Sequence, residues 1–356
     1  MDHVSSLAST QTVIQNFVSS HETDRYICHG SRSFLTPPYS CAYSNAAKNG
    51  GVAHLAVATE QGSVYIWDTT SQNGRGEHRP QRIDLNIHNN GIFDVSWSAS
   101  DDLLATASGD NTVRITDPIT GKILYNLDGH TTTVKAVVWN PSNPSLLSTG
   151  GRDGCICLWD LRSSERHLRR DDDIDFMGPE TLIKGAHDDA SQTPARGRGK
   201  KTKLGSGLTS GLLFGLGIDS RIHTYATPTL NPLPADTNCF THPDMMTNSF
   251  YSRLSVSPDG RWLASGSTKT TVGGSAFAFD VAHAGRVNPG PVSTQGVRLT
   301  AHSGEVCAVD WANDSLATCA DDGSVRIWRN DPEVRWRCEA DCNQASDWAW
   351  GVVNGP

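Results

Sequence analysis

No window of about 18 consecutive apolar residues occurs in this sequence, and Met1 to Ser20 has neither a basic start nor a continuous apolar run. A membrane-spanning helix and a secretion signal are therefore not expected, and the chain reads as soluble and intracellular. No glycine-rich phosphate loop, nucleophile elbow or metalloprotease helix is present. Disulfide-like spacing is missing too: the nine cysteines are odd in number and scattered, which fits a reducing compartment. A formal charge of −8 argues against general nucleic-acid or anionic-membrane binding. What is abundant is glycine, 33 of 356 residues, beside a modest 37% of hydrophobic residues. That composition suits many short strands joined by tight turns.

A repeat is legible. His88, His130 and His302 each precede a tryptophan (Trp97, Trp139, Trp311) by nine residues, with a short strand-like segment between. A second strand follows, carrying Thr106, Thr149 or Thr318. Then comes Asp110, Asp153 or Asp322, and six residues later Thr116, Trp159 or Trp328. Such a pattern predicts an all-β WD-repeat β-propeller in which the four side chains hydrogen-bond in series across a blade. His130, Thr149, Asp153 and Trp159 form one complete set; His302, Thr318, Asp322 and Trp328 form another. Thr116 breaks the third, which should loosen that blade. His, Thr and Asp together also suggest catalysis, but their repetition at fixed spacing is what a fold requires, so they are assigned to structure and no catalytic residue is named.

Weaker copies begin at Leu55 (ending at Trp67), Leu208 (ending at Tyr225) and Leu254 (ending near Phe279), giving six recognisable blades. The propeller is expected over 29–330, with an N-terminal segment at 1–28, partly helical or disordered, and a C-terminal tail at 331–356. Val13 to Val18 fits a short amphipathic helix. Residues 163–206, with Asp171, Asp172, Asp173, Asp175 and the basic run Arg196 to Lys203, are expected to form a disordered loop where a blade has been lost.

The order of motifs is more specific. Pro37 to Ser44, Leu55 to Gly62, His88 to Asp94, Thr106 to Asp110, Gly129-His130 and Thr149 to Arg162 follow one another in a series that resembles the denticleless (Cdt-two-type) substrate receptors of cullin-4 RING ubiquitin ligases. The resemblance covers roughly 35–330. It implies a non-enzymatic nuclear adaptor that sits on the damaged-DNA-binding adaptor of the ligase and recruits replication-licensing proteins on the sliding clamp for ubiquitination and degradation. Adaptor docking in that family uses a Trp-Asp-x-Arg motif, matched by Trp159, Asp160 and Arg162; the plain reading is an arginine solvated after an ordinary strand. Family propellers have seven blades, and the blade after the loop carries a second such motif, which is missing here. The alternative function is a generic WD-repeat scaffold for chromatin or RNA-processing assemblies.

Substrates are expected on the wide face, where loop geometry alone places Asn89, Asn90, Arg152 and Asp321. The run 196–203 suits a nuclear-import signal, a loose phosphate contact or a solvated linker. Cys338 and Cys342, with Cys155 and Cys157, raise a zinc reading, but no His pair is suitably spaced and core or surface thiols are expected. No cofactor, metal, membrane contact or sequence-specific nucleic-acid binding is expected. Trp336, Trp348 and Trp350 in the tail suit ring closure or packing on a blade side.

Overall fold

Second strands of the repeats read as unbroken apolar or small-residue runs, as strands covered on both faces must. Leu55, Ala56, Val57 and Ala58 are all fully buried, as are Leu104, Ala105 and Ala107. The computed structural model describes residues 16–19, 24–30, 34–70, 82–163, 167–171, 174–184, 201–217, 219–227, 229–247, 249, 251–268, 273–287, 293–341 and 352–354. Among these lie six blade sheets of the WD-repeat β-propeller class. The chain divides into two units, Cys28–Arg196 and Met1–Ile27 with Gly197–Pro356.

The unit Cys28–Arg196 holds three blades. Blade 1 is Pro38–Tyr43, His54–Thr59, Ser63–Asp68 and Ile83–Asn86; blade 2 is Ile92–Trp97, Leu104–Ser108, Thr112–Thr116 and Ile123–Asp128. Blade 3 is Val134–Asn140, Asn143–Gly151, Ile156–Asp160 and Thr181–Ile183. Shared apolar clusters join them. Ala56, Ile66, Ile92, Val95 and Trp97 pack between blades 1 and 2, and Ile115, Val134, Trp139 and Trp159 between blades 2 and 3.

In this unit the first-strand tryptophans of blades 2 and 3 each tie their blade to the one before. The indole N–H of Trp97 donates to the Ala42 carbonyl at 3.0 Å, and that of Trp139 to the Ser96 carbonyl at 3.1 Å. Asp94 spans all three blades, accepting from Ser40 Oγ at 3.2 Å and from the Val137 amide at 3.0 Å. Buried polar atoms are thereby satisfied between sheets rather than within one.

In the other unit, blade 4 is Lys201–Leu204, Leu212–Leu216 and Arg221–Ala226, with Asn231–Pro232 and Cys239–Thr241 on its outer side. Blade 5 is Leu254–Val256, Trp262–Gly266, Gly274–Asp280 and Val297–His302, edged by Val352–Asn354. Blade 6 is Val306–Trp311, Ser315–Ala320 and Ser324–Asn330.

Blade 6 has three strands of its own, and its outer partner comes from the start of the chain. Phe17–Val18 and Arg25–Ile27 both pair antiparallel with Ser324–Asn330. This corrects the helical expectation for Val13 to Val18: Phe17 and Val18 are strand, and 13–15 lie outside the described residues. A six-residue apolar pattern fits either period; the open edge of Ser324–Asn330 supplies the backbone partners that decide it. Phe17 packs edge-on against Trp311 with ring centroids 5.9 Å apart.

The span 163–206 also differs from the expected loop. His167–Asp171 and Ile174–Met177 form a hairpin that adds to blade 2, with Ile174–Met177 parallel to Ile123–Asp128. Thr181–Ile183 completes blade 3 and Lys201–Leu204 begins blade 4. Met177 is 1% exposed, so the apolar half of Ile174–Met177 is held by burial despite the acidic residues before it. Most of the basic run 196–203 lies outside the described residues. So do Cys342, Trp348 and Trp350, whereas Trp336, in the helix Pro332–Asp341, is exposed.

Candidate docking surface

In blade 3 the predicted foursome forms a single relay. Trp159 Nε1 donates to Thr149 Oγ1 at 2.9 Å, Thr149 meets His130 Nε2 at 2.8 Å, and His130 Nδ1 meets Asp153 at 3.0 Å. One assignment of protons satisfies every contact: Nδ1–H donates to the carboxylate, and Nε2 accepts from the threonine hydroxyl. Asp153 also accepts from the amides of Thr131 and Cys155, fixing the turn that presents Arg152.

Blade 6 repeats the arrangement with one change. Trp328 donates to Thr318 at 2.9 Å and Thr318 meets His302 Nε2 at 2.7 Å. His302 Nδ1, however, contacts Ser324 Oγ at 2.8 Å, and Ser324 contacts Asp322, whose nearest oxygen is 3.9 Å from the ring. The expected direct His302–Asp322 link is thus relayed through a hydroxyl. Blade 3 has Cys155 at the position of Ser324, and its histidine reaches the carboxylate directly.

In blade 2, His88 contacts Thr106 at 2.9 Å and Asp110 at 2.8 Å, but Thr116 supplies no indole donor. Thr116 Oγ1 is buried and finds no hydrogen-bond partner among the described residues. Three of the four members keep their contacts.

Several of these groups are shifted from their ordinary values. Burial holds His88 and His302 below 6.5 despite the nearby carboxylates. Burial works against ionisation of Asp110, but hydrogen bonds from His88 and Thr112 outweigh it and hold the carboxyl down at about 2. Asp322 is likewise held well below the usual carboxylate range, with burial outweighed by His302 and Ser324. A neutral, buried imidazole with every nitrogen engaged is a structural strut. Among the described residues, no group of three or more His, Cys, Asp or Glu side chains is placed to hold a metal ion.

The Trp159-Asp160-Leu161-Arg162 motif divides its labour. Trp159 is buried in the relay, whereas Arg162 stands on the surface with its side chain 62% exposed. Its Nε donates to Asp160 Oδ1 at 2.9 Å and Nη2 to Oδ2 at 2.8 Å, while its own amide donates to Oδ1 at 3.0 Å. The hydrogen bond from Arg162 holds Asp160 down at about 2. Nη1 stays outside this pair. The fork is thus pre-oriented as it leaves the strand Ile156–Asp160.

The proposed wide-face residues are all exposed. Asn89 and Asn90 lie before Ile92–Trp97, Arg152 lies in the turn between the second and third strands of blade 3, and Asp321 lies in the matching turn of blade 6. Sequence patterning missed Asp94, Ser324 and the paired rings of Tyr39 and Phe93, which stack 5.4 Å apart. For Tyr39 and Phe93 the homologous position in successive first strands was the available signal.

The repeated relay and six blade sheets define a WD-repeat protein of the β-propeller class. The WD domain, G-beta repeat family matches residues 79–117, 121–160, 246–272 and 293–329. Beyond that class, the chain is similar in sequence to denticleless proteins. It is 29% identical over 373 aligned positions to the Denticleless protein homolog of Danio rerio, covering 86% of this chain and 54% of that one. The Homo sapiens Denticleless protein homolog is 26% identical over 394 positions, covering 90% and 51%; Protein lethal(2)denticleless of Drosophila melanogaster is 26% identical over 381, covering 86% and 46%. The chain spans about half the length of these relatives. Each alignment is longer than the 356-residue chain, so within the matched region the relatives carry stretches it lacks.

Proposed function

We propose that this chain is the substrate-recognition adaptor of a cullin-4 RING ubiquitin ligase, a non-catalytic nuclear subunit that recruits replication-licensing proteins for ubiquitin-dependent degradation. The observation that carries the reading is the geometry of Trp159-Asp160-Leu161-Arg162. The indole anchors the strand end in the buried relay, and the carboxylate of Asp160 aims an exposed guanidinium outward. A planar cation fixed in this way gives up little freedom when it meets a carboxylate or carbonyl on a partner. The partner is the damaged-DNA-binding adaptor of the ligase. Asn89, Asn90 and Arg152, all in the unit Cys28–Arg196, serve the substrate side. The denticleless relatives support the assignment because the likeness spans most of this chain and includes this motif's blade.

Affinity purification from dividing cells tests it. The wild-type chain should bring down the adaptor and cullin-4, and its loss should lengthen the half-life of a replication-licensing protein. Capture of chromatin or RNA-processing assemblies without any cullin component would replace this reading with that of a general scaffold.

A further inference from the structure

Blades 1, 2 and 3 place Tyr39, Phe93 and Lys135 at the same position, the second residue of the first strand. Tyr39 and Phe93 stack at 20° with centroids 5.4 Å apart, and the Lys135 ammonium lies 3.0 Å from the centre of the Phe93 ring. All three side chains are half-buried. The close approach depends on Gly91: a Cβ there would come within 3.2 Å of the Tyr39 ring and 3.1 Å of the Glu60 carbonyl. Around this ladder stand exposed groups. Asn89 and Asn90 precede Gly91, and the amide of Arg152 donates to the Thr133 carbonyl at 2.9 Å, which sets that arginine beside the start of the Lys135 strand.

We propose that this ladder is a docking site for an acidic peptide segment, with a carboxylate or phosphorylated side chain next to an apolar one. The proposal rests on the substrate-receptor reading and names the chemistry of the substrate. Stacked rings are common anchors in interfaces, and alone they would accept a cation as readily as an apolar side chain. Here the sign is set by Lys135: its ammonium already covers Phe93, so an incoming cation meets a like charge there. An anion meets that ammonium favourably, and an adjacent apolar residue covers the ring edges. Exposed Glu60 lies beside Gly91 at the Tyr39 end, so the acidic group is directed toward blade 3. The net charge of −8 disfavours a long polyanion such as a nucleic acid.

The test is an array of 12-residue peptides of random sequence, with phosphoserine, acidic and lysine-rich sets, probed with the full chain beside labelled oligo-dT. Bound peptides should be enriched in Asp or Glu, or in phosphoserine, next to Leu or Phe; the two sets show which anion is preferred. Lys135→Glu and Phe93→Ala should each lower that signal roughly 10-fold. Lys135→Arg and Arg162→Ala should keep it, at unchanged thermal midpoints. Preference for lysine-rich peptides or oligo-dT, absence of peptide binding, or indifference to Lys135→Glu would overturn the proposal. Adaptor capture by Lys135→Glu, measured in parallel, separates that failure from failure of the ligase reading.

Discussion

Thr149 Oγ1 lies 2.9 Å from Trp159 Nε1 and 2.8 Å from His130 Nε2, so one hydroxyl bridges two buried ring nitrogens in opposite roles. Thr149→Val leaves both nitrogens without that partner, and a cost of about 2–3 kcal/mol is expected. Thr106→Val in blade 2 strands one ring nitrogen, that of His88, and removes a longer contact to the Arg114 carbonyl at 3.3 Å; because Thr116 offers no indole, it should cost less, about 1 kcal/mol. Urea unfolding of the two variants measures the difference. Equal losses would mean that the indole contributes nothing to the relay.

Acid should weaken the fold in two windows. His88 and His302 have folded-state values depressed by burial below 6.5, so the stability they contribute is fully present above that pH. It falls as the pH drops below 6.5, because the unfolded chain then binds protons that the folded chain resists. Asp110, held at about 2 against an ordinary 3.8, contributes stability present above 3.8 that is lost as the pH falls toward 2. Denaturant midpoints from pH 8 to pH 3 should show the first decline near pH 6.5, and His302→Gln should flatten it. A flat profile between pH 7 and pH 5 in the wild-type chain would contradict the buried neutral state.

The N-terminal strands are expected to hold blade 6 together. Phe17 and Val18 are 7% and 1% exposed, and Asp24 pairs with Arg329 at 3.2 Å. Phe17→Ala should cost about 3 kcal/mol, within the range for emptying a buried aromatic site. Removing residues 1–27 should cost more, because it also uncovers the edge of Ser324–Asn330. Differential scanning calorimetry of both variants checks the order of these effects; a truncated chain as stable as the full one would show that these strands contribute nothing.

Much of this architecture was legible in the sequence, for a physical reason. The His, Thr, Asp and Trp of each blade need one another, so their spacing is rigid and survives where the strands between them vary. Blade ends near Trp67, Thr116, Trp159, Tyr225, Phe279 and Trp328 coincide with the ends of third strands in all six sheets. What stayed hidden was non-local. The pairing of Arg25–Ile27 with Ser324–Asn330 joins residues some three hundred positions apart, and nothing in six residues around Val13 signals it. Ile174–Met177 followed an acidic cluster that masked its apolar side. Ser324 was invisible because a hydroxyl inserted between His302 and Asp322 leaves the spacing unchanged. Trp159, Asp160 and Arg162 were found by their motif, but the bidentate grip of Asp160 on Arg162 came only with the geometry.

Titrating the purified damaged-DNA-binding adaptor against this chain, with binding followed by interferometry, tests the central claim most directly. Saturable binding by the wild-type chain is expected, weakened roughly 10-fold or more by Arg162→Ala and less by Asp160→Asn, which loosens the aim of the guanidinium but keeps its charge. No binding by the wild-type chain, or binding indifferent to Arg162→Ala, would contradict it.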